Sequence, residues 1–241
     1  MRQFHRRRHR TQLKAPFPRF FLDALAAAGI DVKTTACSAG TTVEALESGV
    51  SRTVADAFAV AAIGQVADPG FGLAAGAHLD VDRFGIVGLL AMMQPTLGDA
   101  LRAIARFDRL IWGDPCTVEE DACTMRLSFV PLMAGRPYNR CKLDAELAGV
   151  LAFADRFTRR ALDPVGASVS CAPADDRRRY EAALRCPVSF GRGEDGIAFR
   201  MADLSQRLAS ANPRMAPVLE AHAEALLSPW LEPERRPENR M

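Results

Sequence analysis

The sequence lacks the short motifs of several large enzyme classes. Gly-x-Ser-x-Gly, His-Glu-x-x-His and Gly-Lys-Ser/Thr are all missing from its 241 residues. Their absence argues against an esterase-type serine nucleophile, a two-histidine zinc protease and a P-loop nucleotide site. Histidine is also scarce, because only His78 and His222 occur beyond residue 14. We therefore predict no catalytic residue, no metal site and no cofactor.

Paired cysteines and long apolar runs are missing as well. The six cysteines include no Cys-x-x-Cys pair, and the basic amino-terminal segment does not resemble a signal peptide. Disulfide frameworks are typical of small secreted chains, so we predict reduced thiols that fill core space. The longest apolar run, residues 84–93, is about half as long as a membrane-spanning helix. These observations favour a cytoplasmic protein without a membrane segment.

Positive charge is concentrated at the amino terminus. Residues 1–14 hold five Arg, one Lys and no acid, so the net charge of +2 leaves −4 for the other 227 residues. A mildly acidic body is not a nucleic-acid-binding surface by charge alone. We predict that residues 1–15 form a basic, disordered arm; the alternative is that the arm contacts DNA phosphates without reading sequence. The segment 232–241, rich in Pro and charge, is predicted to be a disordered tail.

The clearest helix in the sequence starts after Thr96. Thr-Leu-Gly-Asp at 96–99 predicts an amino-terminal cap, because the hydroxyl accepts from a free backbone amide and an acid suits the positive helix end. Leu97, Leu101 and Ile104 then recur at helical spacing. Other apolar patterns predict helices over 43–46, 54–66, 84–93, 144–162 and 214–227, and the Thr- and Ser-rich segment 33–42 is predicted to be a loop.

Alternating apolar residues predict strands in the second half of the chain. Met125, Leu127 and Phe129 alternate with polar residues, which predicts a hairpin over 117–131. A strand is expected at 165–171, and a second hairpin joins 187–190 to 197–201 through a turn at Asp195-Gly196. Because regular βαβ alternation is missing, we predict an α+β fold: a mostly helical domain packed on a small antiparallel sheet with hairpins.

The glycine cluster at 70–76 has two interpretations. A dinucleotide-binding loop needs a buried strand before it and a helix opening on its third glycine. The preceding segment is predicted to be helical and the glycine spacing differs by one residue. We therefore interpret the cluster as a tight structural turn.

Three segments in collinear order resemble the ligand-binding amino-terminal domain of AraC-type transcription regulators. Residues 68–76 (DPGFGLAAG) are similar to that family's D-P-x-x-G-L-x-x-G step. Residues 84–88 (FGIVG) followed by 95–101 (PTLGDAL) resemble its F-G-x-x-G stretch and the helix after it. Residues 180–190 (YEAALRCPVSF), with an Ile-Ala-Phe strand after them, are similar to its Y-x-x-x-F-x-x-P-V-x-F segment. Together the resemblance spans about residues 20–228.

The resemblance implies a function in small-molecule sensing. It predicts that residues 16–231 form one domain that binds an effector of unknown class and dimerises, either with itself or with full-length regulators. In relatives such a domain controls helix-turn-helix units that follow it, and the residues after 228 are too few to form them. We therefore expect no sequence-specific DNA binding by the chain itself.

Four residues are candidates for contacts with the effector, because their types are unusual for their predicted surroundings. They are Trp112 at a helix end, Arg126 in a strand, and Tyr180 and Phe190 around the second predicted hairpin. Structural packing explains each of them at least as well. The rival function is a small-molecule enzyme that uses a cysteine or an acid in the same pocket, which would require a base within reach of a nucleophile.

Overall fold

A computed structural model describes residues 14–78, 84–130, 137–170, 177–191 and 193–231. The predicted basic arm (apart from residues 14 and 15), the predicted tail 232–241 and Cys171 lie outside the described residues. Within the described part, no helix is both long enough and apolar enough to cross a bilayer.

The first third of the chain forms four short helices around an aromatic core. They are α1 (Arg19–Ala27), α2 (Val32–Ser38), α3 (Val43–Ser48) and α4 (Arg52–Ile63). A two-residue ladder joins β1 (Lys14–Ala15) to β2 (Val50–Ser51) in antiparallel orientation. Phe20, Phe21, Leu25, Leu46 and Phe58 fill the space between these elements.

The remaining helices surround a five-stranded sheet. They are α5 (Phe71–Ala77), α6 (Gly85–Met92), α7 (Leu97–Phe107), α8 (Pro137–Thr158), α9 (Arg177–Leu184), α10 (Met201–Leu204) and α11 (Ala216–Leu231). The strands are β3 (Cys116–Glu120), β4 (Thr124–Phe129), β5 (Gly166–Val169), β6 (Val188–Phe190) and β7 (Asp195–Arg200), in the spatial order β3-β4-β7-β5-β6. The predicted α+β class is confirmed.

The sheet is mixed, and one predicted hairpin is wrong. β3 and β4 form the antiparallel hairpin that the alternation predicted. By contrast, β6 and β7 do not pair, because β5 lies between them, parallel to β6 and antiparallel to β7. Asp195 starts a strand because its buried carboxylate accepts hydrogen bonds from Arg140 and Ser170. The turn before it uses Gly191 and Gly193, whose φ angles are +71° and +79°.

The predicted cap of α7 is present. The Thr96 hydroxyl oxygen accepts a hydrogen bond of 3.2 Å from the backbone amide of Asp99 and donates one of 2.7 Å to its carboxylate. Leu97, Leu101 and Ile104 are buried as the spacing predicted. This helix faces β3 on one side and α6 on the other.

Three helices differ clearly from the prediction. Residues 32–38 are helical, since the Asp31 carboxylate caps them by accepting from the Thr34 amide. Helix α8 begins seven residues before the predicted start at 144 and ends at Thr158. Helix α11 continues through Pro229, which the prediction placed beyond the helix end.

The glycine cluster forms a helix, which corrects the prediction of a tight turn. Gly72 and Gly76 lie one turn apart on α5, on the face that packs against α8. A Cβ at Gly72 would lie 2.3 Å from the Cys141 carbonyl oxygen, and one at Gly76 would lie 2.3 Å from that of Ala145. The glycines are therefore needed for close helix packing, because no side chain fits between the two backbones.

The prediction that the cysteines fill the core holds for one of the five described thiols. Cys186 is buried, Cys116 and Cys141 are partly buried, and Cys37 and Cys123 are exposed. All five are free.

Candidate functional site

A mostly apolar cavity lies beside Trp112, and we call it the Trp112 cavity. It has a volume of about 90 Å³ between the amino-terminal segment, α4, the turn after α7 and the start of α8. Most of its wall is apolar, formed by Pro16, Phe17, Pro18, Phe21, Val50, Ala55, Ala59, Ile111 and Trp112. Ligand cavities usually combine such a wall with a few fixed polar groups.

Aromatic rings hold the indole of Trp112 in place. Phe20 and Phe21 meet it edge to face, with ring centroids 5.3 and 6.4 Å away. Phe17 packs edge to face on Phe58 at 5.1 Å. These are favourable geometries for aromatic pairs, so the apolar wall is ordered before any guest arrives.

The polar edge of the Trp112 cavity consists of Arg52, Asp56, Tyr138 and Lys142. The Tyr138 hydroxyl donates to the Asp56 carboxylate. Burial, with the nearby Asp56, raises the pKa of Tyr138 to about 12, so the phenol stays protonated. Arg52 reaches across to the turn after α7, donating to the Gly113 carbonyl at 3.1 Å and to Asp114 at 2.9 Å.

Lys142 is the centre of a buried charged group that we call the Lys142 cluster, made of Arg52, Asp108, Asp114, Lys142 and Glu146. The Lys142 ammonium bonds to Asp114 and lies 2.9 Å from Glu146, with 8% of its side chain exposed. Burial opposes the charge of Lys142, but Glu146 and Asp114 together raise its pKa. Burial also acts against the charge of Asp114, yet Lys142 and Arg52 lower its pKa below the usual range. Both partners are therefore ionised.

A second, smaller cavity lies on the other side of Trp112, and we call it the carboxylate cavity. Its volume is about 10 Å³, and Ile111 and Trp112 line both cavities. Asp108 and Glu146 are part of its wall. Asp108 Oδ2 and Glu146 Oε2 are buried and have no hydrogen-bond partner, which is unusual for native proteins. Burial is the main cause that raises the pKa of Glu146 to about 6 and that of Asp108 well above its usual range.

A separate charged group on α8 faces the sheet. Arg140 pairs with Asp144 at 2.7 Å and with Asp195 at 2.6 Å. The Tyr180 hydroxyl donates to Asp144 at 3.0 Å, and the Ser170 hydroxyl donates to Asp195 at 2.6 Å. Burial raises the pKa of Asp144 to about 6 although Arg140 lowers it. These bonds join α8 to α9 and to the sheet.

The structure separates the four residues predicted to contact the effector. Trp112 lines both cavities. Tyr180 and Phe190 meet edge to face at 5.5 Å beside Arg140, outside the lining of both cavities. Arg126 lies on the sheet face opposite the core, where it bonds to Ser128 and Ser168 and pairs with Glu194 at 3.2 Å. Its acidic partner, Glu194, lies in the loop before β7 and is itself exposed.

Sequence reasoning missed the Lys142 cluster. Residues 140–146 carry a charge at every second position, so the charges fall on different sides of a helix and give no amphipathic pattern. One feature of the sequence nevertheless indicates that Lys142 is unusual. Lys142 is one of only three lysines in the chain, and it stands between apolar residues in a segment that continues into a helix.

Nothing in the described residues assembles a metal site or an activated thiol. No group of three or more His, Cys, Asp or Glu among them could hold a metal ion. Burial raises the pKa of Cys141 to about 12 and that of Cys116 further, which keeps both as weakly nucleophilic thiols. On α11, Glu220 and Glu224 both pair with Arg106, while His222 between them is exposed.

Comparison with known proteins places the chain in a regulator family. Residues 24–208 match the model of the arabinose-binding domain of AraC transcription regulators, which is amino-terminal in those proteins. The crystal structure of the transcriptional regulator CdpR from Pseudomonas aeruginosa is similar, with a TM-score of 0.63 and 18% identity over 88% of this chain. The chain spans 65% of the length of that structure. No curated protein matches the chain.

The matched region includes the carboxylate cavity and most of the wall of the Trp112 cavity, whose residues 16–18 and Phe21 precede it, and it covers the helices from the end of α1 to α10. It extends from α1 to the residues just after α10, so it contains Trp112, the Lys142 cluster and the five-stranded sheet. At 18% identity the solved structure supports the fold alone, whereas the family model covers most of the chain. The chain belongs to the family of amino-terminal arabinose-binding-type domains of AraC transcription regulators, and it is a ligand-sensing domain of that kind.

Proposed function

We propose that this domain binds a small effector in the Trp112 cavity and dimerises. The observation that carries the proposal is the cavity itself: a preformed apolar space with four polar side chains along one edge. Such a site orients a guest by its polar groups and gains affinity from the apolar wall. Trp112 is the member of the predicted set that lines this site, and Arg126, Tyr180 and Phe190 have structural partners elsewhere.

The size of the cavity limits the effector. A cavity of about 150 Å³ is enough for a benzene-sized guest. The Trp112 cavity, at about 90 Å³, is smaller, and it shares Ile111 and Trp112 with the carboxylate cavity. We therefore propose a compact, mostly apolar effector with one polar group. Binding would shift the population between two arrangements of the dimer and, in longer regulators, control attached DNA-binding units.

A cavity-filling substitution tests the location of the site. We expect Ala59→Leu to abolish effector binding, because the larger side chain occupies the Trp112 cavity from α4. A thermal-shift screen of amines, amino acids, sugars, aromatic acids and fatty acids identifies the ligand. At about 100 times its Kd, the ligand should stabilise the unsubstituted domain by about 2.7 kcal/mol.

The matched control is Ala57→Leu, which adds the same side chain on the exposed side of the same helix. We expect this variant to keep the full ligand-induced shift in Tm. The proposed site is wrong if Ala59→Leu keeps it too. The proposed function is wrong if no compound of any class raises the Tm of the unsubstituted domain.

The proposed dimer interface lies on the last helix. Met215, directly before α11, is 43% exposed, and Val218 and Leu226 on α11 are 60% and 45% exposed; their spacing places the three on one side. An adjacent side packs through Ala223 and Leu227 into the main core. A second copy of the same helix is the proposed occupant, since a two-fold dimer brings identical apolar faces together. A full-length regulator that carries this helix would form a mixed dimer in the same way.

Charge on this face should produce a monomer. We expect Val218→Asp with Leu226→Asp to weaken dimerisation by about 100-fold or more, because buried unpaired carboxylates are costly at an interface. Sedimentation equilibrium measures the change. The control is Val60→Asp on α4, where the valine is exposed by 44%. A strictly monomeric unsubstituted domain at high concentration, with and without ligand, would contradict the dimer.

A further inference from the structure

Buried carboxylate oxygens beside the carboxylate cavity have no hydrogen-bond donor. Asp108 and Glu146 are each at most 3% exposed, both line this space, and each has a buried oxygen without a hydrogen-bond partner. Glu146 Oε1 lies 2.9 Å from the Lys142 ammonium, but without hydrogen-bond geometry. Buried carboxylates normally accept several hydrogen bonds, so these oxygens can receive a donor from a guest.

The local charge favours a cationic donor. The Lys142 cluster contains the two cations Arg52 and Lys142 and three carboxyl groups. One carboxyl group is therefore left without a counter-ion, and burial of an unpaired charge is strongly unfavourable. In the empty domain a proton neutralises it. An ammonium group would supply the same charge together with several donors.

The route to these carboxylates starts in the Trp112 cavity. Lys142 lines the Trp112 cavity, Glu146 lines the carboxylate cavity one turn further along α8, and Trp112 lines both cavities. The indole face already attracts a cation, since the Lys142 ammonium is 5.6 Å from its ring. A guest with its apolar part in the Trp112 cavity could pass an ammonium group alongside this ring.

Resting on the proposed effector site, we propose that the effector is a compact apolar molecule with a protonated primary amine, and that Asp108 and Glu146 receive this amine in the carboxylate cavity. The amine stays protonated when it binds. The proton that neutralises the unpaired carboxyl group in the empty domain is released to the solvent. The pair is thus the part of the site that determines which chemical class of effector binds.

Three compounds with the same ring test whether the site prefers an amine, an alcohol or a carboxylate. We would measure binding of benzylamine, benzyl alcohol and benzoate to the domain by calorimetry, and its Tm with each. Benzylamine should bind at least about tenfold more tightly than the alcohol, because its charged hydrogen bonds reach otherwise unpartnered carboxylates. Benzoate should be the weakest. Comparison of phosphate and Tris buffers should show release of about one proton with benzylamine and none with the alcohol.

Variants with a neutral amide in place of each carboxylate test whether Asp108 and Glu146 cause the preference for the amine. Glu146→Gln and Asp108→Asn should each weaken benzylamine by about tenfold or more while leaving benzyl alcohol within about twofold. Two such variants are used so that a folding defect in one does not decide the outcome. Glu181→Gln on α9 is the matched control, because its glutamate makes only a 3.4 Å surface pair with Arg177, and it should change neither affinity.

Other outcomes overturn the inference in distinguishable ways. Equal affinity for amine and alcohol, or preference for benzoate, would show that the pair only holds a buried water and a proton. Insensitivity of benzylamine binding to both neutral variants would place the amine elsewhere. If another compound of the screen binds in the Trp112 cavity while benzylamine does not, only the amine inference fails. If no compound binds at all, the proposed function fails with it.

Discussion

Gly76→Val is expected to destabilise the domain by about 3 kcal/mol. The Cβ of the new side chain would lie 2.3 Å from the Ala145 carbonyl oxygen and 2.9 Å from the Cβ of Ala148. A backbone atom cannot move aside as a flexible side chain can, so α5 would have to separate from α8. This separation exposes Leu73, which lies on the same helix and belongs to the main core. Urea unfolding followed by circular dichroism measures the loss.

For the smaller substitution Gly76→Ala, helix propensity alone predicts a gain in stability and not a loss. Alanine stabilises a helix interior relative to glycine by about 1 kcal/mol. Gly76→Ala should nevertheless destabilise, since the first carbon of any side chain meets the carbonyl. The control is Gly64→Ala at the end of α4, where φ is −62° and the glycine is exposed. A neutral or stabilising effect of Gly76→Ala would show that α5 and α8 are less closely packed than described.

Lys142→Met is expected to cost about 3–5 kcal/mol at pH 8, the range for breaking a buried ion pair on one side. Methionine has nearly the shape of lysine but leaves Asp114 with Arg52 alone and Glu146 without a neighbouring cation. Chemical denaturation gives the change in unfolding free energy. Lys33→Met, at an exposed lysine on α2, is the matched control and should change stability by less than about 0.5 kcal/mol.

The loss of unfolding free energy caused by Lys142→Met should be smaller at pH 5 than at pH 8. The pKa of Glu146 is raised to about 6 in the folded domain, so its charge is present at pH 8 and lost as the pH falls through 6. A carboxyl group with a raised folded pKa stabilises the fold fully below its unfolded pKa, and this contribution disappears as pH rises. At pH 5 the substitution therefore leaves fewer unpaired charges. An equal cost at pH 5 and pH 8 would contradict the assignment of Glu146 to the cluster.

Local signals in the sequence were sufficient for several elements. The cap of α7 depends on Thr96 and Asp99 within one turn, and the β3–β4 hairpin follows from alternation within a few residues. The identity of β5 as the strand between β6 and β7 depends on residues far apart in sequence. Turn chemistry at Asp195-Gly196 suggested a hairpin, and the buried bonds of Asp195 to Arg140 and Ser170 outweighed it. Long-range pairing of this kind has no local signature.

The site was predictable only in part, for a similar reason. Trp112 stood out as a large aromatic residue at a helix end, and it lines both cavities. Lys142 and Glu146 face the turn after α7, while Arg140 and Asp144 face the sheet. Their roles depend on which elements lie on each side of α8. The glycine spacing at 72 and 76 was visible, but its meaning required knowing that another helix passes there.

The ion pairs of α8 fix both the rotation of this helix about its axis and its position along that axis. Arg140 and Asp144 hold it to the sheet, and Lys142 and Glu146 hold it to the turn after α7. A slide by one turn, about 5.4 Å, would break both sets at once. The opposite wall of the Trp112 cavity, residues 16–18, has no buried ion pair: it is joined to the domain by the adjacent two-residue ladder, by one 2.8 Å bond from the Phe17 amide to Leu46 and by the packing of Phe17 on Phe58. We therefore expect a larger guest to be accommodated by a displacement of residues 16–18 and not of α8.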